Sequence, residues 1–355
     1  MSMQPEATPP LNPDVSAHVV ERALEQLEPL RVAVVGETII DEYAYCDAIG
    51  KSGKEPMLVG SFLRCEAQAG GALAIANHLA DFCQNVEVVS ALGSFDRREE
   101  FVRDALRDNV RATLVTKPDS PTIVKRRYID ALSKSKLLGV YHMNGSPLTD
   151  VAPLEAAIRT AMARADLVIV ADYGHGLLTE SPVRLLTAHA KFLAVNTQIN
   201  AANVGYNVLS KYPRFDFACV HEGELRLDAR EADGPLEPLL ARAKTRAQAR
   251  ALMVTRGFRG TVLITADDTI ESCPALAERV VERVGAGDAV LALASVSLAA
   301  GLDPAVASVL ANLGGAQAVT TVGNGASIRR TDIIAAARRR LPETCRPRLC
   351  VGDPR

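Results

Sequence analysis

The stretch Glu282-Arg283-Val284-Gly285-Ala286-Gly287-Asp288-Ala289 reads as a loop that turns directly into a helix. Val280-Val281 before it has strand character, and the apolar, Ala-rich run from Ala289 to Ala300 has helix character. Gly285, Ala286 and Gly287 carry almost no side chain, so backbone can come close to a ligand. Their N–H groups would stand at a helix N-terminus, where unpaired donors and the helix dipole attract an anion. Asp288 would add a carboxylate beside that anion site. A proton acceptor next to several donors is what phosphoryl transfer to an alcohol requires. Alone, Gly-x-Gly-Asp is also an ordinary turn with Asp288 capping a helix, so the rest of the chain decides.

The 355 residues are 48% hydrophobic, enough for a sizeable core in one large domain or two unequal ones. Net charge is −2 with acids and bases intermixed, which gives no electrostatic case for a nucleic-acid or anionic-membrane partner. Aromatics are 4% and Trp is absent, which argues against a base-stacking or sugar-stacking platform. The seven cysteines (Cys46, Cys65, Cys83, Cys219, Cys273, Cys345, Cys350) are scattered without a Cys-x-x-Cys. They read as reduced thiols of a cytoplasmic protein, not as a disulfide frame or zinc site. The N-terminus lacks an apolar signal core, and no apolar run approaches membrane-spanning length.

Met1 to Pro13 is polar and Pro-rich and is expected to be disordered; Val15 to Leu30 has helical spacing and closes an N-terminal extension over residues 1–30. One domain then covers 31–340, followed by a loose tail at 341–355. Arg31 to Gly36 is a β-branched run ending in Gly, a buried strand of a parallel sheet. Asp41 lies just beyond it, where open α/β sheets bind ligands, although a loop Asp also caps turns. Only Gly36 of a Gly-x-Gly-x-x-Gly is present, which excludes a Rossmann dinucleotide site.

Tyr43–Asp47, Met57–Arg64, Thr122–Ile129 and Leu137–Tyr141 have strand composition, with no helices between some neighbours. They predict an antiparallel lid from about 43–64 and 121–142, useful for keeping water from a phosphoryl acceptor. Lys125, Arg126 and Arg127 sit on such a strand, with Lys125 and Arg127 on one face and Arg126 on the other. One of them meets a substrate phosphate, or all are solvated edge charge. Gly70-Gly71 opens an Ala-rich helix, so a ligand can reach its N-terminus. Asn77 two turns on either faces the site or is a polar helix position; His78 is expected to be exposed. Phe95 to Asn109 reads as a charged helix.

Leu167 to Ala171 is a strand leading into Asp172-Tyr173-Gly174-His175-Gly176, which repeats the acid-after-strand arrangement of Asp41. Phe215 to Val220 leads into His221-Glu222-Gly223-Glu224, where an acid either holds a Mg²⁺ shell through water or simply favours a helix start. Thr255-x-Gly257-x-x-Gly260 is either a hairpin turn or a phosphate-holding turn. Strands alternate with helices over most of the chain, so the fold class is α/β with a mainly parallel sheet covered on both faces.

Together these motifs resemble the ribokinase-like sugar kinases, the PfkB carbohydrate kinase family, from about Arg31 to Arg340. Gly36 with Asp41, Gly70-Gly71, Thr255-x-Gly257-x-x-Gly260 and Gly285-Ala286-Gly287-Asp288 stand in the family's order. The resemblance implies an ATP-dependent kinase with a small β lid and Asp288 as the base taking the proton from a sugar hydroxyl. It makes the Gly285, Ala286 and Gly287 backbone the anion hole, and puts the sugar on Asp41 and Gly70-Gly71. It lays ATP along Thr255 and Gly257, with Asn312 near the adenine and Mg²⁺ bridging the phosphates. Gly36 to Tyr43, Pro121 to Lys125 and Ala171 to Gly176 look most like the heptose 7-phosphate kinase branch, whose acceptor already carries a phosphate. Such kinases are often fused to a nucleotidyltransferase domain, for which the flanks here are too short. Lid-to-lid dimers and monovalent-cation activation occur in relatives.

The chain also departs from the family. Ala74 replaces an Asn, His221 stands in an Asn-x-x-Glu motif that keeps Glu224, and Glu282-Arg283 replaces Asp-Thr. The segment Asn196 to Asn207 has no assigned counterpart. A non-catalytic nucleotide- or sugar-binding member, or a kinase for a nucleoside or vitamin alcohol, are the rival readings.

Overall fold

The computed structural model describes residues 9–344. The expectations for residues 1–8 and 345–355, including Cys345 and Cys350, lie outside them. The first helix, α1 (Ala17–Leu27), buries Val20, Ala23, Leu24 and Leu27 along one stripe and is capped by Ser16 Oγ. It is followed by β1 (Arg31–Gly36), β2 (Thr38–Lys51), β3 (Leu58–Gly71), α2 (Ala72–Leu79), β4 (Asn85–Phe95), α3 (Glu99–Asp104) and β5 (Val110–Pro121). Next come β6 (Ile123–Asp130), β7 (Lys136–His142), α4 (Ala152–Arg164), β8 (Leu167–Asp172), α5 (Glu180–His189), β9 (Leu193–Thr197), β10 (Phe217–His221), α6 (Glu222–Ala229) and α7 (Leu236–Arg246). The chain continues through β11 (Ala251–Thr255), β12 (Thr261–Ile264), β13 (Ile270–Cys273), α8 (Ala286–Ala299), α9 (Pro304–Ala318) and α10 (Arg330–Arg340). None of these helices is long and apolar enough to cross a membrane.

Nine strands form the main sheet in the order β13-β12-β11-β10-β9-β8-β1-β4-β5. All neighbours are parallel except β12, which runs against both β11 and β13. Strand β1 shows why both faces are covered. Val32 and Val34 join the core with α1, α2, α8 and α9, while Ala33 and Val35 join the core with α4, α5 and α7.

The lid is a second sheet of four strands, β3-β2-β6-β7. Its outer pairings are antiparallel as expected, but the central pair β2–β6 is parallel. The reason is the route of the chain: β2 follows β1 and β6 follows β5, so both leave the parallel sheet in the same direction. The β2–β3 hairpin reaches back to Thr38↔Gly71, so the lid grows directly out of the end of β1.

Three local expectations differ from the structure. The helix expected over Phe95–Asn109 shrinks to α3, because Phe95 pairs with Pro121 in the sheet and Asp96 and Arg98 adopt positive φ. Val280-Val281 is not a strand; both side chains are exposed, and the Val281 and Glu282 N–H groups donate to the Val319 carbonyl. His78 is buried, with Nδ1 accepting from Ile328 N at 3.1 Å, and burial pushes its pKa down to about 4.

Candidate active site

Asp288 is the third residue of α8. Gly285 precedes that helix at φ +85°, where an added Cβ would fall 2.1 Å from Asn324 Oδ1. At Gly287 an added Cβ would meet nothing within 4 Å, so its backbone faces open space. The Ala286 N–H, expected in the anion hole, instead turns back to the Arg283 carbonyl at 3.3 Å, because the first turn of α8 closes on the loop before it. Among the described residues nothing accepts from the N–H groups of Gly285, Gly287 or Asp288. Those groups form an uncommitted donor cluster at a helix N-terminus, the arrangement that receives phosphate.

The Tyr173 hydroxyl donates to Asp288 Oδ1 at 2.8 Å. Although Asp288 is only partly covered, its carboxylate lies deep enough for burial to push its pKa up to about 7. The Tyr173 hydrogen bond and the nearby Lys125 ammonium oppose that rise, and Asp41 adds to it. A base with a pKa near neutrality is matched to proton abstraction at neutral pH.

Asp41 is buried on β2, and its Oδ1 takes a charge-assisted bond from Arg127 Nη1 at 2.5 Å. Gly70 lies beside it on β3, where a Cβ would stand 2.3 Å from Asp41 Oδ2. Gly71 is the N-cap of α2 at φ +59°, and a Cβ there would meet the Glu37 carbonyl at 2.5 Å. The basic triplet divides as its alternation predicts: Arg127 pairs with Asp41, and Arg126 with Glu42 at 2.6 Å. Lys125 has no carboxylate in ion-pair range among the described residues. Its ammonium lies over the rings of Tyr141 and Tyr173, at 5.3 and 5.6 Å, and burial lowers its pKa.

Two residues named for the substrate leave it. Asn77 donates to the Ala105 carbonyl at 2.7 Å and accepts from Arg107 N at 3.0 Å, so it ties α2 to the α3–β5 turn. Asp172 is 1% exposed and accepts from Gly174 N, Lys211 Nζ and Tyr212 Oη, which leaves it a structural anion at the end of β8. Helical period and strand-end position could not foresee either set of partners.

The nucleotide candidates gather at the ends of β10, β11 and β12. Thr255 pairs with His221 on one side and Thr261 on the other. His221 caps α6, its Nδ1 accepting from Gly223 N at 3.0 Å. Glu224 closes a capping box by accepting from His221 N at 2.7 Å and also accepts from Ile199 N at 2.9 Å. Asn312 donates to Thr261 Oγ1 at 2.7 Å and to the Ser308 carbonyl at 2.8 Å. Gly260 is needed where it stands: at φ +82° its Cβ would lie 2.0 Å from the Cys273 carbonyl. Gly257 at φ +61° faces open space instead, and Phe258 beside it is 84% exposed. Bare backbone at Gly257 and the free α8 N–H groups fit the phosphates of a nucleotide. Among the described residues no cluster of three or more His, Cys, Asp or Glu is placed to hold a metal. A Mg²⁺ carried by phosphates and water needs no such cage.

One buried acid was missed in the sequence. Glu37, 2% exposed, follows β1 directly and accepts from the N–H groups of Tyr173 and His175, each at 3.0 Å. Burial, reinforced by Asp172, pushes its pKa up to about 7. The same acid-after-strand logic that singled out Asp41 applied to it. Beside it His175 is buried with both ring nitrogens unpartnered, and burial with Lys125 and Lys117 nearby pushes its pKa down to about 3.

The large parallel sheet, the lid over the end of β1 and the Gly-rich start of α8 define a ribokinase-like architecture. Residues 30–331 match the pfkB family carbohydrate kinases, and the chain belongs to that family of ATP-dependent sugar kinases. It is 31% identical over 296 residues to the bifunctional protein HldE of Koribacter versatilis, covering 82% of this chain and 60% of that protein. It is 27% identical over 321 residues to the D-beta-D-heptose 7-phosphate kinase of Bordetella bronchiseptica, covering 88% of this chain and 96% of that one. The chain thus spans about three fifths of the bifunctional relative and nearly all of the Bordetella kinase. Among solved structures it resembles Escherichia coli phosphofructokinase-2 in complex with potassium, with TM-score 0.70, 14% identity, and 87% and 98% of the two chains covered. The Arabidopsis thaliana ribokinase complexed with ribose and ATP gives TM-score 0.67 at 15% identity, with 87% and 99% covered. At such identities these structures speak for the fold alone.

Proposed function

We propose that the protein transfers the γ-phosphoryl group of ATP to a hydroxyl of a sugar phosphate, with a heptose 7-phosphate as the acceptor. The observation that carries this reading is the near-neutral Asp288 carboxylate standing next to three uncommitted N–H groups at the start of α8. In this reading Asp288 takes the proton of the acceptor hydroxyl as the oxygen attacks. The backbone N–H groups of Gly285, Gly287 and Asp288 hold the negative charge of the group in transfer. Asp41 and the Gly70-Gly71 backbone orient the sugar. Thr255, Gly257 and Gly260 line the nucleotide with His221, Glu224 and Asn312 supporting that wall. Mg²⁺ bound to the phosphates, with Glu224 reaching it through water, would supply charge neutralisation; a monovalent cation belongs to the same proposal. A cytoplasmic location belongs to the same proposal, since ATP and sugar phosphates are the substrates it names.

Lys125 is the residue we assign to the acceptor's existing phosphate, because Arg126 and Arg127 already have carboxylate partners and Lys125 has none among the described residues. Lys125→Ala is expected to raise the KM for a phosphorylated sugar about tenfold or more while leaving the KM for its unphosphorylated form in place. The measurement is a coupled ATPase assay over sugars with and without a phosphate. Equal effects on both sugars sink the assignment, and no turnover with any phosphorylated sugar sinks the acceptor class.

The outer lid also supports a second copy of the chain as partner. On the outer lid strands β3 and β7, Leu58, Phe62, Leu63 and Leu138 are 67, 62, 52 and 60% exposed. Sedimentation of the full chain is expected to give a dimer that Phe62→Asp converts to monomer; a wild-type monomer at micromolar concentration rules this out.

A further inference from the structure

The segment Asn196 to Asn207 and the residue Tyr173 have no place in the reaction as described, yet the structure joins them to the catalytic carboxylate. Tyr173 is 4% exposed, and its hydroxyl engages only Asp288 Oδ1 among the described residues. With that oxygen held, the carboxylate cannot swing freely, and its other oxygen is left to face an acceptor hydroxyl. Tyr173 itself is fixed at its backbone. Its N–H donates to Glu37 Oε2 at 3.0 Å. Its carbonyl accepts from two asparagine side chains, Asn200 Nδ2 at 2.8 Å and Asn203 Nδ2 at 2.7 Å. Asn207 Nδ2 holds the preceding carbonyl, that of Asp172, at 2.8 Å. Asn203 and Asn207 also both reach the Gln198 carbonyl, so the loop is tied to itself as well as to the Tyr173 turn. Gly174 makes this approach feasible: at φ +69° it carries no Cβ, which would otherwise lie 2.3 Å from Asn203 Nδ2.

We propose that Tyr173 is the positioning residue for Asp288, and that the asparagine loop at 200–207 is the clamp that keeps Tyr173 aimed at it. This rests on the reading of Asp288 as the base. The clamp uses short amides: Asn203 and Asn207 each reach two carbonyls and Asn200 one, in a place where longer side chains would retain rotamer freedom. Tyr173 acts through Asp288 and touches neither substrate nor phosphate in this proposal.

The groups that face the Asp288 carboxylate are Tyr173 after β8, Asp41 on β2 and Lys125 on β6; Arg127 is engaged by Asp41, and Glu37 lies behind Tyr173. Removing the Tyr173 hydroxyl leaves all of these in place and withdraws one donor that favours the ionised base. The acid limb of the kcat/KM profile must therefore move to higher pH.

The test measures kcat, both KM values and the pH profile of the full chain as wild type, Tyr173→Phe, Asn200→Ala and Asp288→Asn, with thermal unfolding of each. Tyr173→Phe is expected to lower kcat about tenfold, leave the ATP KM unchanged, and shift the acid limb upward by about half a unit or more. Asn200→Ala, half-exposed and bonded through its side-chain amide to the Tyr173 carbonyl alone outside its own loop, is expected to shift the limb in the same direction by less. A Tyr173→Phe protein with a wild-type acid limb overturns the positioning role. If that variant fails to fold, an unmoved limb in Asn200→Ala overturns the clamp. An Asp288→Asn enzyme of wild-type rate overturns the base reading instead, so the two failures are told apart.

Discussion

Asp288→Asn turns over its sugar substrate at least about a hundredfold more slowly than wild type, while its affinity for ATP stays within about twofold. The amide is nearly the same shape as the carboxylate and still accepts from the Tyr173 hydroxyl, so geometry at the start of α8 is kept. What is lost is the proton acceptor. The free N–H groups of the Gly285–Asp288 turn are backbone and do not change, so the phosphate cradle and ATP binding survive. Initial rates with a phosphorylated sugar and ATP titration by calorimetry measure the two halves, and a variant with wild-type turnover sinks the assignment.

The same substitution makes a stability prediction of opposite sign. The folded-state pKa of Asp288 is raised to about 7 from its ordinary value of 3.8, so the folded protein holds the proton more tightly than the unfolded chain. Wild-type stability from this group is present below pH 3.8 and is lost as pH rises through 7. Asp288→Asn has no charge to bury, so its Tm should exceed that of wild type at pH 8 and converge on it in acid. After allowance for partial solvation the gap is about 1–3 kcal/mol. A gap that grows as pH falls contradicts the burial of this carboxylate.

Gly70→Ala should raise the KM for the sugar about tenfold or more and leave the KM for ATP unchanged. The added methyl would stand 2.3 Å from Asp41 Oδ2, and Asp41 is not free to move aside because Arg127 holds its other oxygen. Gly70 does not need positive φ, so the cost falls on the Asp41 side chain rather than on the backbone of β3. The damage is therefore local to the sugar side, while the nucleotide side at β10–β12 lies across the sheet. Gly260→Ala offers the contrast: its methyl would meet the Cys273 carbonyl at 2.0 Å and so threatens the fold. An unchanged sugar KM in Gly70→Ala removes Asp41 and Gly70 from the acceptor site.

Much of this molecule was legible where chemistry is local. The β-branched run of β1, the bare Gly285–Gly287 turn and the apolar α8 are short patterns whose meaning depends on adjacent residues, and they fell where expected. The helix read at Phe95 failed because a strand partner, Pro121, captured residues whose own spacing suited a helix. Asn77 failed for a similar reason: helical phase shows that a polar residue points somewhere, and the α3–β5 turn it bonds is brought there by the fold. Asp41 and Asp172 look alike in sequence, an acid after a buried strand. One lies beside Gly70 and Arg127 in the cleft, and the other is consumed by Lys211 and Tyr212.

By itself the sequence determined the family, the alternating α/β architecture and the identity of the loop that carries Asp288, because these rest on residue type and spacing along the chain. Only the tertiary structure decided what surrounds that carboxylate. The bond from Tyr173 crosses 115 positions of sequence, and the Arg127–Asp41 bond crosses 86. Which cation is left for a substrate phosphate, and how far burial lifts the pKa of the base, depend on distances that arise only when β1, β2, β6, β8 and α8 meet at one end of the sheet.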